Sequence, residues 1–249
     1  MSEATTAAST TETHGRLRIR LAPDGSATVE RITAESSVIM TLGRAQGGRS
    51  NAKFKVADTI DVSAFPALLD VFAKAANLDI NVEFTATRLS SSHVVLEDTA
   101  LAIGSGVFEM LRDRMNATGI NGAGSSLRTR EDFDNASVSA AVSVEGRKYV
   151  KVVAAESSDA FRWKHVMGGH AFGGVRTEDI DDFIDALAGG MRASFFLHER
   201  KPHNSPEEFW PLAIEALSDG TVLVLESPPA ESFAVVHRYR GATRVGREA

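Results

Sequence analysis

Two stretches of the chain set a histidine and a glutamate four residues apart just where an apolar helical pattern begins. Ser90-Ser91-Ser92-His93-Val94-Val95-Leu96-Glu97-Asp98 leads into a pattern running through Val107 and Leu111, and His203-Asn204-Ser205-Pro206-Glu207-Glu208 leads into one running through Ile214 and Leu217. On a helix this spacing stacks an imidazole and a carboxylate one turn apart on one face, where the two can share a proton or grip one divalent ion. The pairs are 110 residues apart (93 to 203, and 97 to 207), which places them at matching points of an internal repeat. His93, Glu97, His203 and Glu207 are therefore candidate metal ligands, and the two histidines are candidates for proton transfer.

Each pair also has a structural reading. Ser205-Pro206-Glu207-Glu208 is what a helix start needs without a metal: a serine cap, a proline in the first turn, and acids reaching unpaired amides. A helix starting there leaves His203 outside it. His93 with Glu97 equally describes a hydrogen-bonded surface or subunit-interface pair. His165 and His170, in His-Val-Met-Gly-Gly-His, are a weak ligand pair in a stretch that reads as a loop. Gly43 to Arg49 is glycine-rich and basic but lacks phosphate-loop spacing, and reads as a hairpin tip. Trp163 and Trp210 read as core or interface aromatics.

The elements that must position these residues follow from periodicity. Leu17, Ile19 and Leu21 alternate, Asp24-Gly25 turns the chain, and Ala27, Val29 and Ile32 complete a hairpin. Val38 to Leu42 and Phe54 to Ile60 read as strands. Phe65, Leu68, Leu69 and Phe72 then recur at helical spacing, Asn77 offers an end, and Leu78 to Phe84 alternates as a strand ahead of the His93 helix. The second half repeats the order. Ser137 to Val144 and Tyr149 to Ala154 form a hairpin; Thr177-Glu178-Asp179 opens a helix carrying Ile180, Phe183, Ile184 and Leu187 and ending at Gly189-Gly190; Ala193 to Leu197 is a strand. Thr221 to Leu225 and Phe233 to Tyr239 read as two further strands. The expected divisions are a disordered tail at 1–14, a first half at 15–115, a linker at 116–128, a second half at 129–220 and extra strands at 221–249.

Composition narrows the function. The 249 residues are 43% hydrophobic and 24% charged with a net charge of −6, ordinary globular material without the basic, aromatic-studded stripe of a nucleic-acid binder. There are no cysteines, which removes thiolate metal sites and thiol nucleophiles and fits a reducing compartment, so a cytoplasmic location is expected. The small polar N-terminal stretch resembles neither a signal peptide nor an anchor.

Several stretches resemble imidazoleglycerol-phosphate dehydratase. Arg31-Ile32-Thr33-Ala34-Glu35-Ser36 is similar to that family's Arg-x-Thr-x-Glu-Thr opening. Phe133-Asp134-Asn135-Ala136, then Gly146-Arg147-Lys148-Tyr149, resembles its Met-Asp-Glu-Ala and Gly-Arg-Pro-Tyr stretches. Phe172-Gly173 with Thr177-Glu178 resembles its Gly-x-Phe-x-Thr-Glu segment. The resemblance runs from about Arg31 to Leu217. It implies an α+β fold of two tandem similar half-domains, of the kind of ribosomal protein S5 domain 2, each a sheet with helices on one face, assembled as a homo-oligomer around manganese sites. It also gives Glu35 and Asp134 roles in substrate or proton handling.

The departures from that pattern are specific. The family's special helices begin His-His-x-x-Glu, where this chain has Val94 and Asn204 in the second place; two further family histidines fall near Ala67 and Ala193. Asn204 is at most a weak oxygen ligand. The family's paired arginines fall at Gly119-Ile120-Asn121-Gly122 and a helix lysine at Pro211, so the guanidinium and ammonium clamps for a phosphate are gone. The expectation is a diverged carbon–oxygen lyase or isomerase acting by acid–base chemistry on a small polar substrate. Glu35, Asp134, His93 and His203 would be its catalytic residues, with manganese or another divalent metal weak or absent. The alternative is a non-catalytic relative serving as an oligomeric scaffold or regulatory partner. Neither nucleic acid nor membrane is an expected partner.

Overall fold

The computed structural model describes residues 9–12, 15–86, 91–118, 123–129, 137–153, 155, 169–171, 173–201, 203, 205–226, 236–239 and 242–245. Strands β1 (Ser9–Glu12), β2 (Gly15–Leu21), β3 (Ala27–Ile32) and β4 (Ser36–Arg44) form an antiparallel meander. Its central turn is closed by Asp24-Gly25: Gly25 has φ +81°, and the Asp24 carboxylate accepts from the Ser26 amide at 2.9 Å. Strand β5 (Ser50–Lys55), helix α1 (Phe65–Ala76) and strand β6 (Leu78–Ala86) follow, with β6 inserted antiparallel to β4 and parallel to β5. The sheet order is β1-β2-β3-β4-β6-β5. Helix α2 (Ser92–Thr118) ends this half.

The second half has β7 (Ala123–Thr129), β8 (Ser137–Val144), β9 (Tyr149–Val153), a two-residue ribbon of β10 (His170–Ala171) and β11 (Val175–Arg176), α3 (Thr177–Met191), β12 (Ala193–Lys201), α4 (Pro206–Glu226), β13 (Val236–Tyr239) and β14 (Ala242–Val245). Its order is β14-β13-β7-β8-β12-β9. The four strands β3-β4-β6-β5 and β7-β8-β12-β9 thus share one topology: an antiparallel pair, a strand inserted after a helix, and a parallel edge. The architecture is α+β with two similar halves.

Alternation decides what each sheet buries. In β4, Val38, Met40 and Leu42 point inward and Ile39 outward; in β12, Ala193, Phe195 and Leu197 point inward. Helices cover only the inner faces, and the halves meet helix to helix, α2 against α3 and α1 against α4. Phe72 of α1 meets Phe183 of α3 edge to face at 6.1 Å within one continuous core.

Several expectations are corrected. The helix expected to stop at Gly189-Gly190 continues to Met191 and ends on Arg192, which takes the left-handed conformation at φ 51°. Gly190 serves a helix crossing instead, its backbone lying against Leu101 and Ser105 of α2. Thr221 to Leu225 is helical, because α4 is covered nearly all round and so gains from being apolar on every side, which mimics a strand's composition. Within the stretch expected to be a linker, α2 reaches Thr118 and β7 takes Ala123–Thr129; Gly124 belongs there because a Cβ would lie 2.6 Å from the Gly220 carbonyl oxygen. Ser9–Glu12 of the expected tail pair with β2, while residues 1–8, 13 and 14 lie outside the described residues. The strand expected at Phe54 to Ile60 is β5, shifted back to Ser50–Lys55. Gly43 to Arg49 is no hairpin tip. It carries the chain across the end of β6, with Gly48 so close that a Cβ would sit 2.2 Å from the Leu78 carbonyl oxygen.

Candidate functional site

His93 sits in the first turn of α2, held on both sides. Its Nδ1 is 2.6 Å from Asp182 Oδ2 of α3, and its Nε2 is 3.2 Å from Glu97 Oε2. The i,i+4 pair read from the sequence is present, extended by a carboxylate from the other half. The imidazole remains 43% exposed. Around it the first turns of α2 and α3 are tied together: the Arg176 guanidinium donates to Ser92 Oγ at 3.2 Å and to Asp179 Oδ1 at 2.8 Å. The Asp179 hydrogen bond is the main reason the guanidinium is held above even its ordinary pKa.

A cleft of about 460 Å³ opens beside these residues, lined by Asp61, Phe65, Ser91, Ser92, Arg176 and Asp179 among others, where the starts of α1, α2 and α3 converge. Glu35 lies in the exposed turn between β3 and β4, a turn organised by Thr33 Oγ1 accepting from the amides of Glu35 at 3.1 Å and Ser36 at 3.0 Å. That turn is anchored to α2: Ser36 Oγ donates to Asp98, and the Arg31 guanidinium lies 3.2 Å from the same carboxylate, both partners nearly covered. The Arg-x-Thr-x-Glu stretch is thereby fixed to the residue next to Glu97. Asp134 lies outside the described residues, as do Asn204, His165 and Trp163; His170 is described only as backbone of β10.

The second pair is different. Helix α4 starts at Pro206 with the Ser205 hydroxyl accepting from the Glu208 amide at 3.3 Å, so His203 precedes the helix. Its side chain is 0% exposed; Nδ1 is 2.7 Å from Glu199 Oε1 and the ring meets Phe209 edge-on at 4.9 Å. Glu207 is exposed in the first turn of α4 and forms no ion pair with His203. Burial by itself would push the Glu199 carboxyl up. Hydrogen bonds from the His203 ring and from the amides of Ala155 and His203, with the attraction of His203, more than offset that and hold it below its ordinary value.

The sequence reading missed Asp182 and Glu199. Parity along β12 marks Glu199, since Ala193, Phe195 and Leu197 put position 199 on the inner face. Asp182 stands one turn beyond Asp179 on α3, half-buried between the buried Asp181 and Phe183. Within this chain, among the described residues, no three His, Asp or Glu side chains converge as a metal ion requires. Both nitrogens of His93 are engaged by carboxylates, and Val94, Ala67 and Ala193 offer only hydrocarbon. These donors do not fit the manganese sites that the resemblance implies.

Two α+β halves of one strand order, packed through their helices with titratable groups where helix starts from both halves meet, define a tandem half-domain fold. The chain belongs to the imidazoleglycerol-phosphate dehydratase family, whose model matches residues 61–209. It is similar to the imidazoleglycerol-phosphate dehydratase of Chlorobium luteolum, 27% identical over 72% of this chain and 78% of the relative, and to that of Salinispora tropica, 31% identical over 50% of this chain and 56% of the relative. Among solved structures, the fold is similar to imidazoleglycerol-phosphate dehydratase of Staphylococcus aureus, with TM-score 0.55, 18% identity, and coverage of 82% of this chain and 99% of that one. It is also similar to the Pyrococcus furiosus structure, with TM-score 0.51, 20% identity, and coverage of 83% and 96%.

Proposed function

We propose that this chain is an acid–base lyase that works without the two-manganese arrangement, taking water from, or shifting a proton on, a small polar substrate. The observation that carries this reading is the Asp182–His93–Glu97 line beside the cleft. Asp182 fixes the imidazole at Nδ1, and the half-exposed ring can pass a proton through Nε2, with Glu97 as the adjoining carboxylate. Glu35 lies on the turn anchored to the same end of α2 and supplies a second carboxylate; Asp134 remains a candidate partner by the family pattern. With the phosphate-gripping arginines and lysine replaced, the substrate need not carry phosphate. The protein is taken to act as a cytoplasmic homo-oligomer, in line with its cysteine-free composition and its family.

A non-catalytic role as scaffold or regulatory partner is favoured by one observation: His203 is covered and consumed by Glu199. The readings separate in D₂O. Chain treated with chelator, or supplied with manganese, is incubated with imidazole glycerol phosphate and a panel of small 2,3-diol acids, and water loss or deuterium uptake is followed by NMR. The lyase reading expects manganese-independent turnover that drops about 100-fold or more in His93→Gln and Asp182→Asn. The unfolding free energy should shift by no more than about 1 kcal/mol, since the pair is partly solvated. Turnover that requires manganese would overturn the metal-free mechanism, and no turnover on any substrate would leave the scaffold reading.

A further inference from the structure

The outward faces of the two sheets carry charge differently. On the first sheet, cations share the outward face with carboxylates: Arg18 pairs with Glu30 at 3.6 Å and Lys55 with Glu83 at 2.6 Å, and Arg49, just ahead of β5, lies 3.9 Å from Asp79. Strands β7, β8 and β9 contain no Asp or Glu, and the one acid of β12, Glu199, points inward. The outward positions there carry Lys151, His198 and Arg200. Among the described residues no carboxylate comes within ion-pair distance of Lys151.

Register turns these residues into a shaped surface. Phe196 is flanked by Lys151 on β9 and Ala141 on β8, with Ser125 beyond on β7; in the next row His198 is flanked by Val153 and Ser139, with Leu127 beyond. A large ring followed across the sheet by alanine and serine leaves a trough, and a hollow of about 830 Å³ lies there, lined by these residues and Arg200. Its volume falls within the range of small-molecule sites. Phe196 is 43% exposed in a soluble face, with the exposed Tyr149 ring 5.5 Å away. Arg200 folds back so that Nε donates to Ser139 Oγ at 3.1 Å, which turns its guanidinium toward the trough. Burial, with Arg200 nearby, holds His198 below its ordinary pKa, so at neutral pH it offers one donor and one acceptor rather than a charge.

We propose that this hollow binds a small aromatic anion, its carboxylate or phosphate drawn by Lys151 and Arg200 and its flat ring laid against Phe196. Lys151 and Arg200, with no carboxylate at ion-pair distance among the described residues, select the charge, and the exposed ring beside a floor of small residues selects a flat body. The hollow shares no lining residue with the cleft near His93, so the proposal stands apart from the lyase reading.

Phenyl phosphate is the probe, titrated calorimetrically into the full chain, with phenol and inorganic phosphate as its separated halves and an eight-nucleotide oligothymidylate as a comparison. The expected result is sub-millimolar binding of phenyl phosphate, weaker binding of either half, and a loss of about tenfold or more in Lys151→Met, Arg200→Met and Phe196→Ala. Ile39→Ala, on the outer face of the other sheet, should bind as the parent does. Thermal unfolding confirms that each variant is folded, and the two methionine variants carry the test should Phe196→Ala fold poorly. The proposal is overturned by absence of binding, by binding that the folded variants leave unchanged, or by inorganic phosphate binding as tightly as the ester. Preferential, steeply salt-dependent capture of the oligonucleotide would also overturn it, making the face a nucleic-acid platform.

Discussion

Glu199→Ala is expected to destabilise the chain by about 3–5 kcal/mol, since three donors lose a largely covered carboxylate acceptor. At this chain length a loss of about 3 kcal/mol lowers the thermal midpoint by about 6–12 °C. The carboxylate accepts from the Ala155 amide at 3.1 Å, the His203 amide at 2.9 Å and the His203 ring at 2.7 Å. Its removal leaves part-buried donors without their acceptor, which costs more than the bonds' net worth. Glu199→Gln should cost less, keeping one acceptor but turning an amide toward a backbone N–H. The effect has a pH signature. Because the folded carboxyl titrates below its ordinary value, its contribution is fully present above the ordinary Glu pKa and is lost as pH falls through the folded value. The stability gap between the parent and Glu199→Gln should therefore be widest near neutrality and narrow on acidification, as chemical denaturation across pH 3 to 7 would report. A gap that widened in acid would mean the carboxylate is not stabilising in its charged form.

The same residue shows what could be read in advance. Much of the strand and helix order, the hairpin at Asp24-Gly25 and the two-half plan follow from local periodicity, since alternation and 3.6-residue spacing are written in neighbouring residues; the hairpin expected of Ser137 to Val144 and Tyr149 to Ala154 does not form, because β12 lies between β8 and β9. The first His/Glu pair was legible for that reason: both members lie on one helix, and the 3.2 Å contact needs nothing else. The second pair was equally visible as spacing but did not form, because Ser205-Pro206 starts α4 after His203, and the inward parity of β12 brings Glu199 to the ring instead. Asp182 reaches His93 only through the docking of α3 on α2, 89 residues apart in sequence, which no local pattern encodes. Glycines misled most, since a residue without a side chain has the same letter whether it ends a helix, turns a loop or admits a neighbour's backbone. Those at 189 and 190 were read as a stop signal because glycine favours the position after a helix, a role that Arg192 fills.

Those two neighbouring glycines should respond to the same substitution with opposite signs. Helices α2 and α3 cross with their backbones in contact: a Cβ on Gly190 would lie 2.4 Å from the Leu101 carbonyl oxygen and 2.7 Å from the Ser105 amide nitrogen, and one on Gly104 would lie 2.4 Å from the Leu187 carbonyl oxygen. These are backbone atoms of facing helices, so relief requires the helices to move apart, opening the contact that joins the two halves. Alanine at an ordinary helix-interior glycine stabilises by about 1 kcal/mol. At Gly190 and at Gly104 overpacking reverses that, and a net loss of about 1–3 kcal/mol or more is expected for each. Gly189 is different, because its Cβ would meet only Lys148 Cδ at 3.5 Å and Leu101 Cδ1 at 3.7 Å, ordinary contacts with flexible side chains. Gly189→Ala should therefore be neutral to stabilising by up to about 1 kcal/mol. Urea midpoints for the three variants decide the matter, with Gly104→Ala and Gly190→Ala combined to test for coupling. Since both substitutions push apart one helix pair, the double variant should lose less than the sum of the two. Full additivity would mean that the two glycines relieve separate clashes, and a stabilised Gly190→Ala would mean that α2 and α3 do not approach this closely.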